Sequence, residues 1–327
     1  MASTFYTLQG QNRRNSVLLL LVVSLVFAVF GLAVGYAWTG SGAGAISALV
    51  IALGASIVLS IGSYYAGDSI VLAASQAHEV SAEQAPQLLN VVSELSIAAG
   101  IPMPKVYIID DTAPNAFATG RDPQHASVAI TTGLLEKLDR EELQGVIGHE
   151  LSHIGNLDIR FTLLVGVLVG SIALLADVFL RMTFWGGMGG RRRRDDREGG
   201  SGGAQAIVMI LALVLAILAP IFARLVQLAV SRQLEYLADA SSVALTRNPA
   251  GLERALAKIA GDTEVLEVAN RATQHLYIVN PIKKFEDRSK GLFSTHPPIL
   301  ERINRLRTLH GAPPVDANEA RTLAGLD

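Results

Sequence analysis

Cysteine is absent from this chain of 327 residues. That excludes disulfide scaffolds, thiolate metal sites, iron–sulfur clusters and cysteine nucleophiles. Any metal centre here must be built from His, Asp or Glu. Charge is also scarce. Asp, Glu, Lys and Arg make up 17% of the residues, against about 25% in an ordinary soluble domain. No basic excess exists, since Lys and Arg number 27 and Asp and Glu 29, for a net charge of −2. That argues against nucleic acid as a partner. Disorder is excluded as well, because it needs low hydrophobicity and high net charge, and half of this chain is apolar.

The apolar residues gather in four runs. Val17–Trp38 has no charge over 22 residues and Ala43–Tyr65 none over 23. Phe161–Leu180 has one charge, Asp177, in 20 residues, and Ala204–Ala223 has none in 20. A helix crosses a bilayer core with roughly 20 apolar residues. The first run is too long for a signal-peptide core of about 7–15 residues, and a second follows at once, so it reads as an anchor. The lipid bilayer is therefore an expected partner. Gly31 and Gly35 form a GxxxG, as do Gly166 and Gly170. The spacing permits close helix packing, but small residues common to any membrane helix explain it more simply.

Arg13 and Arg14 place the N-terminus in the cytoplasm. The run Arg191–Arg194, in a glycine-rich loop between the last two apolar runs, conflicts with a simple third and fourth crossing. Whether that hairpin crosses or only dips in, the segments on either side of it face the same compartment. The expected organisation has four parts. Residues 1–66 form a transmembrane hairpin, and 67–160 the first part of a soluble domain. Residues 161–223 form a second hydrophobic hairpin, and 224–327 complete the soluble domain. The expected fold class is mostly α with a small β-sheet (α+β), carrying four hydrophobic helices.

Within the soluble parts, Ser81 and Gln84 read as a capping box opening a helix through Leu88, Val92 and Leu95. Lys105–Ile109 and Ser127–Ile130 read as strands, with Asn115–Gly120 as a turn or bulge between them. Asp139, with Glu142 three residues on, caps a helix through Ile154. Further helices are expected over 225–245, 249–260 and 299–309, the last with Ile299, Ile303 and Leu306 on one face. Residues 312–327 read as a polar tail.

The informative stretch is His149-Glu150-Leu-Ser-His153. On a helix the two histidines lie one turn apart and project from one face. Two nitrogens so placed can hold one tetrahedral zinc ion. Glu150 is offset by about 100°, suited to act as a general base rather than a ligand. Three bare polar groups within the apolar stretch Leu143–Ile154 would be costly to bury unpaired. A catalytic zinc needs a third protein ligand. Glu235, four residues before Asp239 on a second expected helix, is the better candidate. Asp158 is the rival, as ligand or as supporting group. Asp239 can accept a hydrogen bond from the far nitrogen of a liganding histidine.

Four ordered stretches, HELSHIGNLD at 149–158, SRQLEYLAD at 231–239, NAFATG at 115–120 and STHPP at 294–298, resemble the HtpX-like membrane zinc metallopeptidases. These are bacterial quality-control proteases of the gluzincin group, related to the CAAX prenyl endopeptidases. The resemblance covers nearly the whole chain. It implies one zinc ion per chain on His149, His153 and Glu235, with Glu150 as catalytic base. It also implies endopeptidase activity on misfolded or damaged membrane proteins in the stress response, at the cytoplasmic face of a bacterial inner membrane.

A tetrahedral intermediate needs a second oxyanion donor. His296, in the Thr-His-Pro-Pro loop, is the candidate, and it could equally cap the following helix. Tyr236 and Arg232 are weaker candidates, and His78, His125, His275 and His310 read as surface residues. A protease holds substrate extended, by pairing it with an edge strand. Ser127, Val128 and Ala129 are the candidate edge, with Asn115 a candidate for holding a substrate carbonyl or a structural turn. The alternative to an enzyme is a membrane scaffold stabilised by a non-catalytic zinc.

Overall fold

The structure is a computed structural model that describes residues 5–162, 234–262, 276–279 and 297–323, with isolated residues between these segments. The described residues are mostly helical with one small mixed sheet. It falls into two compact units. One comprises Arg14–Ser63 and Leu164–Val226, the other Met1–Arg13, Tyr64–Leu163 and Gln227–Asp327.

Two long helices begin the chain, α1 (Phe5–Thr39) and α2 (Gly42–Ala74). At 33 residues, α2 spans about 50 Å, more than the roughly 30 Å of a bilayer core. Among the described residues it is the one helix long and apolar enough to cross a membrane, with mean hydropathy 2.3 and 11% of that window buried. The runs 161–180 and 204–223 lie mostly outside the described residues, as do Gly166, Gly170 and the loop 186–203.

Gly31 and Gly35 overturn the simpler reading of their spacing. A Cβ on Gly31 would stand 2.7 Å from Ala52 Cβ, and one on Gly35 would stand 2.6 Å from the Gly44 carbonyl oxygen. The two glycines are what lets α1 lie against the small residues of α2. Ser24 and Ser56 hydroxyls meet across the same contact at 3.2 Å.

The second unit holds the sheet, in the order β1 (His78–Glu79), β2 (Lys105–Ile109), β4 (Ala126–Thr131), β3 (Ala116–Gly120). β2 and β4 are parallel, while β1 pairs with β2 and β3 with β4 antiparallel. The stretch expected to be a turn is thus strand β3. Its Asn and Gly ends and its alanines imitate a turn. Alternation puts Ala116 and Ala118 toward one core and Phe117 toward the other. Strand preference follows from such packing more than from intrinsic propensity.

Helix α3 (Pro86–Ala99) starts at its proline, not at Ser81. Only the reach-back half of the expected box forms, Ser81 N–H donating to Gln84 Oε1 at 2.9 Å. α4 (Thr132–Lys137) follows β4 with Thr131 as its cap. α5 (Arg140–Gly155) opens on Asp139 with both halves of the capping box made, a device that stabilises a helix start by about 1 kcal/mol. A helix α6 covers 234–246, followed by α7 (Pro249–Gly261), α8 (Ile299–Leu309) and α9 (Ala317–Leu323). α9 occupies the expected tail, and its Ala320 is buried in the core.

The central core lies between one sheet face, α3, α5, α7 and α8. The other face buries Ile109, Phe117 and Ala129 with Val71, Leu72 and Tyr277. The motif helix α5 runs through the middle, with Val146, Ile147, Leu151 and Ile154 inaccessible. Two glycines let its neighbours approach. A Cβ on Gly145 would stand 2.7 Å from the backbone of Leu252 on α7, and one on Gly148 would stand 2.8 Å from Ser242 Oγ on α6. That hydroxyl donates to the Gly145 carbonyl at 2.7 Å. α6 is thereby drawn against the face of α5 that carries the motif.

Candidate metal centre

α5 presents His149, Glu150 and His153, and α6 presents Glu235 and Asp239, all buried or nearly so. His149 Nε2 and His153 Nε2 stand 3.2 Å apart. Glu235 Oε2 lies 3.6 Å from the first and Oε1 3.7 Å from the second. Donors held tetrahedrally at about 2.0–2.1 Å from one ion are about 3.3–3.4 Å apart. The two nitrogens are near that spacing and each histidine has a Glu235 oxygen a few tenths of an ångström beyond it, so the donor set fits a small divalent cation once the Glu235 carboxylate turns one oxygen to both. Among the described residues these three form the one His/Asp/Glu group so assembled.

Each histidine is oriented from behind. His149 Nδ1 lies 2.9 Å from Asp239 Oδ1 and His153 Nδ1 lies 3.1 Å from Asp158 Oδ2. With Nδ1–H donating to a carboxylate, the neutral form of each ring keeps its Nε2 lone pair for a metal. Asp158 is therefore behind a ligand candidate rather than in the donor cluster. Leu157, at φ 63°, makes the reversal at the end of α5 that brings Asp158 back to His153. A non-glycine residue in that region is strained, and such strain gathers at functional sites.

Burial, helped by the charges of Arg302 and His153, lowers the pKa of His149 below its ordinary value, against the pull of Asp239. Burial also pushes Glu150 up to about 7, with the neighbouring Glu235 adding to it while His153, Arg302 and the Ala118 N–H oppose it. Burial acts to lower His153, but the Asp158 hydrogen bond and the charges of Glu235, Asp158 and Glu150 outweigh it and hold it up to about 9. A metal ligand must be unprotonated. Metal binding at pH 7 is therefore expected to release about one proton from His153, with affinity rising about tenfold per pH unit up to about 9 from this group. Calorimetric titration in buffers of different ionisation enthalpy measures the release. Buffer-independent heats would sink the expectation.

Glu150 is 1% exposed, and its Oε1 has no hydrogen-bond partner among the described residues. A carboxylate oxygen so orphaned is rare, and an absent water or ion is one of its ordinary explanations. A pocket at the donor cluster is lined by Ala118, His153, Ile159, Thr162, Leu234, Glu235 and Leu276.

Several expected site residues stand elsewhere. Ser127, Val128 and Ala129 belong to β4, which has β2 on one side and β3 on the other. Its ladder groups are taken, so it cannot pair a substrate. The outer strand is β3. Ile278 N–H donates to the Ala116 carbonyl on its outer side, and by alternation Ala118 and Gly120 also face outward. Asn115 is buried and its amide is engaged. Nδ2 donates to the Val279 carbonyl at 2.9 Å, and Oδ1 accepts from Ala116 N–H at 3.1 Å. It clamps residues 276–279 to the start of β3 rather than holding substrate. Tyr236 is turned to Glu301, with Arg305 stacked on its ring at 3.5 Å. His310 is exposed, as expected, and lies 2.8 Å from Glu253 Oε2. His296 and Arg232 lie outside the described residues. Arg302 was missed. It lies on the apolar face of α8 with Ile299 and Leu306, and a charge on such a face was the available signal.

Two histidines and a carboxylate converging beside a buried, raised-pKa glutamate define a metallopeptidase-type centre. Residues 82–310 match Peptidase family M48, and the chain belongs to that family. It is 48% identical over 301 residues to a protein named Protease HtpX homolog from Listeria monocytogenes serotype 4a (strain HCC23), covering 91% of this chain and 97% of that one. It is 46% identical over 300 residues to a protein of the same name from Streptococcus thermophilus (strain CNRZ 1066), covering 92% and 98%. A more distant structural likeness is to the crystal structure of S. mikatae Ste24p, at TM-score 0.44 and 20% identity, over 76% of this chain and 56% of that one. The protein is a metalloprotease of that family.

Proposed function

We propose that this protein is a zinc endopeptidase with one zinc ion per chain, held by His149, His153 and Glu235. The observation that carries the reading is the convergence of those three donors, within 4.8 Å of one another, beside a Glu150 carboxylate whose Oε1 has no partner among the described residues. When bound, zinc supplies Lewis acidity, polarising a scissile carbonyl and acidifying a water. Glu150 takes the proton of the attacking water and returns it to the leaving amine. A carboxylate raised toward neutrality by burial suits both halves of that exchange. Asp239 and Asp158 keep the two imidazoles turned to the ion. The outward Ala118 carbonyl and the Gly120 backbone groups on β3 hold the extended substrate. His296 is the candidate second donor to the oxyanion.

The cleavage domain comprises 67–160 and 224–327, and 1–66 and 161–223 are membrane hairpins. The double arginine before the first apolar run supports a cytoplasmic site in a bacterial inner membrane. Substrates in this reading are misfolded or damaged membrane proteins, which reach a site beside the bilayer.

The test uses detergent-purified full-length protein stripped with a chelator and given a denatured membrane protein. Cleavage is expected to be absent without metal and to return with stoichiometric zinc. Stoichiometric zinc without cleavage of any unfolded membrane protein would favour a scaffold held by a non-catalytic ion.

A further inference from the structure

Helix α8 carries a charged residue on its buried face. Arg302 lies among Ile299, Ile303 and Leu306 and is itself fully buried. A guanidinium withdrawn from water is tolerated only where its donors are matched. Here Nε and Nη2 donate to Asp239 Oδ2 and Oδ1, at 2.9 and 2.7 Å. Nη1 donates to the Ile278 carbonyl at 2.9 Å and stands 3.1 Å from Glu235 Oε2. Asp239 Oδ1 is also the atom that faces His149 Nδ1, at 2.9 Å. One cation therefore touches two acidic groups of the centre: the carboxylate behind the first histidine and the carboxylate of the donor cluster.

We propose that Arg302 is a positioning residue of the metal centre. It is a fixed cation that holds Asp239 against His149 and Glu235 toward the histidines, so the donor set stands assembled before a metal arrives. The proposal rests on the reading that His149, His153 and Glu235 hold the metal. Without the Arg302 guanidinium the two buried carboxylates would lose the partner they share. Lysine supplies the charge without the planar fork, so charge and geometry can be separated by substitution.

The experiment compares full-length wild type, Arg302→Lys, Arg302→Met, Asp239→Asn and the double variant Arg302→Lys with Asp239→Asn in detergent. Zinc affinity is read by competition with a chromogenic chelator, thermal unfolding is followed with and without zinc, and kcat and KM are measured on a denatured membrane protein. Arg302→Lys leaves the charge beside the ion unchanged, yet zinc is expected to bind about 10–100-fold more weakly. Its kcat is expected to fall with little change in KM. Arg302→Met is expected to lower the melting temperature of the zinc-loaded protein more than that of the metal-free protein, because an ion that binds more weakly stabilises the fold less. Asp239→Asn, which weakens the fork from the other side, is expected to match Arg302→Lys in zinc affinity. The double variant is expected to lose little more, because both changes break one unit. A folded Arg302→Lys that binds zinc within twofold of wild type overturns the proposal. So do equal drops in melting temperature with and without zinc in Arg302→Met, and full additivity in the double variant. A wild type that binds no zinc overturns the metal reading itself, and it is told apart because no variant is needed to see it.

Discussion

Glu150→Gln is expected to lower kcat by about 10²–10⁴-fold, the usual worth of a positioned general base, while leaving zinc content and folding intact. Glutamine has nearly the same shape, so the tightly packed α5 keeps its contacts. Its amide cannot accept and return a proton. Glu150 is 1% exposed and packed under β3, with the Ala118 N–H bonded to its carboxylate. The amide removes a buried charge rather than adding one, so stability is expected to hold or rise slightly. The measurement is single-turnover cleavage by metal-saturated protein at equal zinc content. Activity within tenfold of wild type would remove Glu150 from the proton-transfer role. A scaffold with a non-catalytic ion predicts no difference between the two proteins in any assay.

The second large effect concerns Gly145. In an ordinary helix interior, Gly→Ala gains up to about 1 kcal/mol. At this position the sign is expected to reverse. The added Cβ would stand 2.7 Å from both the Cα and the N of Leu252, and backbone cannot step aside as a side chain can. Overpacking of this kind costs about 1–3 kcal/mol for a methyl group. Gly145→Leu is expected to prevent α5 and α7 from docking at all. Because α6 is bonded to the same carbonyl through Ser242, metal binding should be lost along with the cooperative unfolding transition. Gly148→Ala is the control. Its Cβ would meet a hydroxyl at 2.8 Å, which can rotate, so its loss should be the smaller. Chemical or thermal unfolding of the metal-free protein orders the three variants. A Gly145→Ala protein as stable as wild type would show that the interface can separate without harm.

The glycines also show what kind of information the sequence carried. Each was visible as a glycine inside an expected helix, which signals close packing or function. Which helix came close was not visible, because that contact joins residues about a hundred positions apart. The same holds for β3. Its alanines hid a strand, since small residues were needed only because α5 lies on top of them. The misplacement of the substrate edge followed. Local alternation identifies Ser127–Ile130 as a strand but says nothing about which strand lies outermost.

What the sequence determined by itself were the features set by spacing along one element. His149 and His153 fall on one face of α5 because four residues make about one turn, and Asp139 with Glu142 starts that helix because a capping box is complete within four residues. The apolar run Ala43–Tyr65 within α2 is likewise legible from composition and length alone. Tertiary structure decided which distant groups complete the centre. Asp158 could have been a donor, and a backbone reversal at Leu157 put it behind His153 instead. Asn115 could have met substrate, and Val279 took its amide. Arg302 had no partner within its own helix turn, yet it became the cation between Asp239 and Glu235. Burial is the physical reason in each case. Once water is excluded, every polar group must find a protein partner, and the chain's folding, not its local spacing, determines which one is within reach.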